Sequence, residues 1–379
     1  MPELPSFVHT EEWPQPGTHV VVGMSGGVDS SVTAALFKKA GYPVSGVFLK
    51  LTSSPSLSKS EEDALAVAAL LGIPLHVVEA REIFKACILE PFAKAYASGK
   101  TPSPCCLCNP LVKFRLLSEV ADQVKAGALA TGHYVRKQKI PSGEGSMDVL
   151  TPARVRGRDQ SYFLWALSEE VLEKAFFPLG HAAKEDVRAW ALEQRLSVSQ
   201  KPDSQDICFL QGLFADYTEF LTDWSQKTND THLAQALSPG AIVNKEGEVL
   251  GEHRGIAHYT VGQRRGLGLS SEDPFYVLSL EDQKVVVGRK KDLEVLQVTL
   301  QGTRWQPLGC SLREEFEAFV QYRSAMVPVE ALVKRVSEEE TTVIFKEVQY
   351  GVAPGQALVM RTSQGFVLGG GWIEVTYGS

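Results

Sequence analysis

Short apolar runs and longer mixed stretches alternate along the first half of the chain. His19–Met24 (HVVVGM) has the length and composition of a strand buried on both faces, and a glycine-rich turn follows it. A helix is predicted from about Ser30 to Ala40, a second strand over Val44–Leu49, and a helix over Glu61–Leu71. Leu75–Glu79 predicts a third strand, Arg81–Ala97 and Leu111–Lys125 further helices, and Ala128–Thr131 another strand. Strands alternating with helices predict an α/β fold, a doubly wound parallel sheet. Such sheets take ligands beyond the carboxyl ends of their strands, where Ser25 and the first turn fall.

The pattern changes after about Leu213. Asn244–Leu250 reads as a hairpin around a glycine turn, and short β-rich runs then recur with Gly and Pro between them: Phe275–Leu280, Val285–Val287, Val295–Leu300, Val327–Val333, Thr341–Phe345, Gln356–Met360 and Phe366–Leu368. This punctuation predicts a small C-terminal β-barrel. Polar Thr222–Ser238 reads as a linker. The organisation expected is a flexible lead-in over 1–16, a nucleotide-binding catalytic domain over 17–215, a small central domain over 216–290 and a barrel domain over 291–379.

Composition narrows the class. No apolar run reaches the ~18 residues of a membrane span, and the first sixteen residues lack Lys and Arg, so a cytoplasmic protein with no membrane partner is expected. The net charge of -7 excludes a wholly basic surface, although RNA binding needs only a local groove. Local basic clusters occur at Arg136, Lys137 and Lys139, at Arg154, Arg156 and Arg158, at Arg264 and Arg265, and at Arg289, Lys290 and Lys291.

The first turn reads Gly23-Met24-Ser25-Gly26-Gly27-Val28-Asp29-Ser30-Ser31. Glycines let the backbone approach an anion, successive N–H groups form a concave nest, and the helix start adds positive potential. Ser25, Ser30 and Ser31 add hydroxyl donors, and Asp29 either holds magnesium or caps the helix. The Gly-Lys-Ser/Thr of the ordinary P-loop is absent. With no lysine in the turn for a γ-phosphate, the reading is a site that holds pyrophosphate as a leaving group while AMP is transferred.

Six cysteines are present: Cys87, Cys105, Cys106, Cys108, Cys208 and Cys310. Three fall within four positions, which points to metal or redox chemistry rather than packing. Structural disulfides are not expected without an export signal. In Thr101-Pro102-Ser103-Pro104-Cys105-Cys106-Leu107-Cys108-Asn109, two prolines stiffen an exposed loop, and Asn109-Pro110 predicts the cap and first position of a helix. Cys108 then lies just before a helix N-terminus, a setting that favours the thiolate. Cys208, between Ile207 and Phe209, reads on its own as a buried packing residue.

Ser25-Gly26-Gly27-Val28-Asp29-Ser30 resembles the PP-loop of the adenine nucleotide α-hydrolase-like superfamily, whose members activate a substrate oxygen by adenylation. The cysteine segments make the resemblance narrower. Thr101 to Asn109 is similar to the Thr-Pro-Asn-Pro-Asp-x-x-Cys-Asn loop of the tRNA-specific 2-thiouridylases (MnmA family), and Lys201 to Leu210 to that family's second cysteine motif. Thr131 to Tyr134, Arg158 to Leu164, Tyr259 to Gly268, Pro354 to Ala357 and Gly369 to Ile373 also match, so the resemblance spans nearly the whole chain.

The resemblance implies an ATP-dependent tRNA-uridine 2-sulfurtransferase. Such an enzyme adenylates O2 of the wobble uridine in tRNAs of the Lys, Glu and Gln type and then installs sulfur, giving 2-thiouridine, AMP and pyrophosphate. Cys108 is implied as nucleophile, Cys208 as persulfide carrier, and Asp29 joins them in the catalytic set. ATP, with Mg2+, would be met by Gly23, Met24, Ser25, Gly26, Gly27, Val28, Asp29, Ser30, Leu49 and Gly132. Ser103, Pro104 and Cys105 would face the target base, and His133, Arg158, Asp159, Gln160, Tyr322 and Gln356 would contact tRNA. The implied partners are a tRNA anticodon stem-loop, held by the central and barrel domains, and a sulfur donor such as a cysteine desulfurase or a sulfur-relay protein.

The departures from the family pattern are Ser103 for Asn, Cys105 for Asp, Leu49 for Met, Arg158 for Lys, and Gln321 for an Arg before Tyr322, which removes an expected RNA contact. Cys105 creates Cys105-x-x-Cys108. With Cys208 this makes three thiolates, a ligand set for a 4Fe–4S cluster with one open iron that delivers sulfide; zinc would need a fourth ligand. Cluster-bound sulfide and a Cys208 persulfide are two routes the sequence leaves open. A PP-loop synthetase for a small molecule gives no reason for Cys108 and Cys208, and a non-catalytic RNA-binding protein gives none for the glycine turn.

Overall fold

The computed structural model describes residues 4–143, 145–203 and 207–378. Residues 1–3 of the lead-in and Ser204, Gln205 and Asp206 of the second cysteine motif lie outside the described residues. The first apolar run forms β1 (Val20–Gly23), followed by α1 (Val28–Lys39), β2 (Val44–Lys50), α2 (Pro55–Leu71) and β3 (Leu75–Glu79); Ala128–Ala130 is β4. All pair in parallel in the order β3-β2-β1-β4, with Ala175–Phe176 beyond β4. β1 is apolar throughout because both faces are covered. Val20 and Val22 pack with Phe37 on one side, and Val21 packs with Leu117 and Leu129 on the other. The strand order reverses between β1 and β4, and the crevice at their carboxyl ends is where an open α/β sheet takes its ligand.

Residues 4–16 are packed rather than flexible. Phe7 and Trp13 are buried, the Trp13 ring lies 4.3 Å from Phe37, and the Tyr42 hydroxyl donates to the Pro14 carbonyl at 2.7 Å. Nor is Thr222–Ser238 a linker. Tyr217–Thr228 and Thr231–Ala236 are helices whose caps, Asp216 and Asp230, accept from Glu219 N–H and Leu233 N–H. Phe220, Leu221, Leu233 and Ala236 face the core, and the polar outer faces masked that pattern.

A hairpin of Val135–Ser142 and Gly145–Pro152 uses up the first basic cluster. Lys137 is buried, donates to the carbonyls of Leu172 and Glu173 at 3.0 Å and sits over the Phe176 ring; Lys139 pairs with Asp148 at 3.2 Å. Farther along, Gly240–Val243, Val249–His253, Tyr276–Glu281 and Lys284–Gly288 form a four-stranded sheet. A closed six-stranded barrel ends the fold, with Glu294–Trp305 pairing with both Thr341–Tyr350 and Val367–Tyr377. No helix among the described residues is long and apolar enough to cross a membrane.

Candidate active site

The glycine turn is shaped by close approach. Gly26 has φ +71°, and a Cβ there would stand 2.1 Å from the Ser60 carbonyl oxygen, so only glycine fits. Gly132, just past β4, lies so close to the start of α1 that a Cβ would come within 2.8 Å of the Asp29 carbonyl carbon. The N-cap of α1 is Gly27, so Asp29 does not cap the helix. Ser31 is fully buried and donates back to the Gly27 carbonyl at 2.8 Å, which removes it as an anion donor. Ser30 accepts from Ser25 N–H at 3.0 Å, and Ser25 is exposed.

The lysine missing from the turn arrives from two later segments. Lys201 Nζ donates to the Gly26 carbonyl at 3.0 Å and pairs with Asp63 at 2.6 Å. Lys184, 4% exposed at the start of Lys184–Glu193, donates to both Asp29 carboxylate oxygens at 2.8 Å and lies 2.8 Å from Asp203. Asp203 also holds Arg188 at 2.6 Å and Arg158 at 3.0 Å, and the Tyr134 hydroxyl donates to Asp29 at 2.8 Å. Burial works against the Asp203 carboxylate, but Lys184 and Arg188 outweigh it and hold its pKa below the usual value. Sequence reasoning missed Lys184, Arg188, Lys201 and Asp203. The available cues were the i,i+4 spacing of Lys184 and Arg188 and the placing of Lys201 and Asp203 just before the Cys208 motif.

The cysteine helix, Pro104–Cys108, starts at Pro104 rather than at Pro110. Pro104 takes a first-turn position, where no N–H is needed. Pro110 falls in a π-helical turn, Asn109–Lys113, closed by Phe114 N–H bonding to the Asn109 carbonyl. Cys108 therefore sits inside the helical stretch and is 5% exposed, not at an N-terminus. Burial pushes its thiol up to about 12, the Lys113 ammonium opposes this, and the nearby thiols of Cys208, Cys105 and Cys87 reinforce it. A second π-helical turn, Lys85–Leu89, carries Cys87. Leu49 and Val78, at the carboxyl ends of β2 and β3, pack against the same core as Cys108.

Cys208 is exposed, so the packing role expected of it falls to its neighbours: Ile207 and Leu210 join the core, and Phe209 is 2% exposed and meets Phe92 at 5.2 Å. Surrounding protein still raises the Cys208 thiol, with Lys113 pulling the other way. Cys105 is exposed, while Cys106 is fully buried with Sγ 3.6 Å from the Tyr162 carbonyl. Burial pulls the Lys113 ammonium down, but Cys108, Cys105 and Cys208 together push it above its ordinary value. Among the described residues no carboxylate pairs with it. His133 lies 2.8 Å from the Thr131 hydroxyl, and burial, then Lys113, push it down to about 3, so it is neutral at pH 7.

Among the described residues no three His, Cys, Asp or Glu side chains gather closely enough to hold a metal ion. The charged group shared by Cys105, Cys108 and Cys208 is an ammonium.

The cysteine segment is tied to the rest of the chain through Thr101. Its N–H donates to the Pro354 carbonyl at 2.8 Å and its hydroxyl meets that of Thr260 at 3.2 Å, while Gly355 packs against Lys100 and Thr101. Ser103, Pro104 and Cys105 lie at the start of the cysteine helix. Of the residues expected at tRNA, Arg158 is exposed beside Arg154 and Arg156. The Asp159 carboxylate is spent on Ala153 N–H, Ser161 N–H and the Ser161 hydroxyl, and Gln160 Oε1 on Tyr134 N–H. Tyr322 is buried and donates to Gln349 at 3.1 Å. Gln356 adjoins the Thr101 anchor, with a buried Oε1 that has no partner. Gln321 is buried and accepts from Arg361 at 3.0 Å; it belongs to the barrel interior, so its exchange for Arg removes no surface cation.

Three family sequence patterns match in order: the tRNA methyl transferase HUP domain over residues 18–212, the tRNA methyl transferase PRC-barrel domain over 228–289, and the aminomethyltransferase beta-barrel domain over 284–373. The tRNA-specific 2-thiouridylase MnmA of Syntrophotalea carbinolica is 43% identical over 368 residues, covering 94% of this chain and 98% of that protein. The protein of the same name from Paramagnetospirillum magneticum is 43% identical over 377 residues, covering 95% and 96%. Among solved structures, the U34-tRNA thiolase NcsA from Methanococcus maripaludis with its 4Fe–4S cluster aligns with a TM-score of 0.36 and 16% identity over 60% of this chain and 72% of that one. With its glycine turn, its two cysteine segments and relatives matched over almost their full length, the chain belongs to the tRNA-specific 2-thiouridylase MnmA family.

Proposed function

We propose that this chain is an ATP-dependent tRNA-uridine 2-sulfurtransferase that converts the wobble uridine to 2-thiouridine. The observation that carries this reading is that Cys108 packs in one core with Ile207 and Phe209, the two residues that flank Cys208, although the two cysteine segments are distant in sequence. ATP would be held by the turn from Gly23 to Ser30 with Leu49 and Gly132. Asp29, its carboxylate 31% exposed, would hold magnesium. The bound metal would neutralise charge on the phosphates, and Lys184 and Lys201 add fixed positive charge at the turn.

Uridine O2 attacks the α-phosphate, a P–O bond breaks and pyrophosphate leaves. A Cys208 persulfide, loaded by a desulfurase or relay protein, then attacks C2 with its terminal sulfur; the C2–O bond breaks and AMP leaves. Cys108 gives its proton to water and attacks the Cys208 sulfur as the thiolate; the S–S bond breaks, and its electron pair goes to the 2-thiouridine. The Cys108–Cys208 disulfide left behind is reopened by a thiol reductant. Ser103, Pro104 and Cys105 would face a base drawn out of an anticodon loop, where unstacking costs little. The exposed Arg154, Arg156 and Arg158 would supply charge for the RNA phosphates.

Mass spectrometry of tRNA nucleosides tests the reading. Protein purified under anaerobic conditions and incubated with tRNA, ATP, magnesium and a persulfide donor should yield 2-thiouridine and equal amounts of pyrophosphate. ATP consumption that ignores tRNA and leaves no thiolated nucleoside would refute it. Iron that copurifies and is required for thiolation would replace the persulfide route with the cluster route.

A further inference from the structure

Asp203 stands at the junction of the two chemistries, and the mechanism above does not use it. It lies five positions before Cys208 in sequence (208 − 203). One of its oxygens is shared by Lys184 at 2.8 Å and Arg188 at 2.6 Å, and the other meets Arg158 at 3.0 Å. The same Lys184 Nζ grips both oxygens of Asp29 in the first turn of α1. A continuous chain of charge-assisted bonds thus runs from the nucleotide turn to the start of the Cys208 motif. Arg188 strengthens it by donating to the carbonyls of Ser199 and Lys201 at 2.8 Å, and Lys201 reaches back to the Gly26 carbonyl. Beyond Cys208, Phe209 and Leu210 are buried, and the Gln211 carbonyl accepts from Ser56. Cys208 is exposed between these two anchors.

We propose that Asp203 is a positioning residue: it docks the Cys208 segment onto the nucleotide turn through Lys184, so that sulfur is delivered where the adenylate forms. The proposal rests on the thiolation reading. Hydrogen bonds between ionised groups are the strong, directional ones, and three of them meet on this one carboxylate.

Two readouts on the full-length Asp203→Asn and Asp203→Glu proteins test it. The first needs neither ATP nor RNA. Diamide takes two electrons and two protons from Cys108 and Cys208, and peptide mass spectrometry follows closure of that disulfide. Asp203→Asn should slow closure by about tenfold, the loss expected when a held pair becomes a loose one, and Asp203→Glu, which keeps the charge, should recover part of it. The second is the ratio of pyrophosphate released to 2-thiouridine formed. It should rise several-fold above the wild-type value in Asp203→Asn, as the adenylate hydrolyses before sulfur arrives. A residue that only stabilises the fold would lower the unfolding midpoint and leave both readouts unchanged. Wild-type closure and wild-type ratio in folded Asp203→Asn, or in Asp203→Glu should the first variant not fold, would overturn the proposal. Wild-type protein that makes no 2-thiouridine refutes the thiolation reading instead, and the closure rates still decide the role of Asp203.

Discussion

Around the glycine turn, charges come in opposed pairs: Lys184 with Asp29 and Asp203, Lys201 with Asp63, Arg188 with Asp203. Around Cys108 the neighbours of the Lys113 ammonium are thiols, and among the described residues it has no carboxylate. The difference separates two ways of preparing a reaction. Paired, partly buried charges fix geometry in advance, because breaking any one pair leaves a charge stranded. An ammonium set among thiols and a neutral imidazole, with no carboxylate partner among the described residues, leaves a place where negative charge is welcome, and a thiolate or a persulfide can supply it. The turn is thus finished before substrate arrives, while the cysteine pocket keeps its proton: Cys108, pushed up to about 12, is a neutral thiol at pH 7.

Substitutions can break this contrast, starting with the largest effect. Cys108→Ser should lower thiolation on the order of 10³-fold or more, as removal of a covalent participant does, while tRNA-dependent pyrophosphate release survives. Equal loss of both activities would mean that the two sites do not divide the work. Gly26→Ala should destabilise the fold by about 2 kcal/mol or more in urea unfolding, since its φ of +71° and the Ser60 carbonyl both oppose a Cβ. An unchanged midpoint would show a turn that yields easily.

Alkylation kinetics sharpen the cysteine side. Burial disfavours the thiolate, so a raised pKa means less reactive Cys108 at any pH below it. Its labelling by iodoacetamide should keep climbing about tenfold per pH unit past the ~8.5 where a free thiol levels off, and Cys105, which is exposed, should label before Cys108 at pH 7. Lys113→Met removes the group that opposes the rise and should slow Cys108 labelling by roughly three- to tenfold, less than one unit of pKa. The smallest effect belongs to Arg158→Gln. Its bond to Asp203 is partly exposed, so thermal stability should change by less than about 1 kcal/mol.

The alternation of strands and helices was readable because a sheet covered on both faces needs unbroken apolar strands, as in Val20–Gly23. The Val135–Ser142 hairpin strand was not, because Lys137 points inward where an apolar residue would announce a strand. Tyr217–Thr228 hid behind polar outer faces. In the site, Gly26 and the two cysteine segments carry local signals, since turn geometry and thiol spacing are written in consecutive residues. The signals at Lys184, Lys201 and Asp203 are weaker: their meaning appears only when the fold brings two later segments to the turn. The start of the cysteine helix was misplaced because two prolines, Pro104 and Pro110, compete for the same role.

The bonds of Thr101 to Pro354 and Thr260 have a consequence for how such an enzyme can change. The segment that leads into the cysteine helix is held by residues from the central and C-terminal parts of the chain as well as by its own domain. A barrel grafted from a relative to alter RNA choice would also reset the footing of Cys108. Drift in substrate preference and retention of sulfur chemistry are therefore bound to one another through contacts such as those of Thr101.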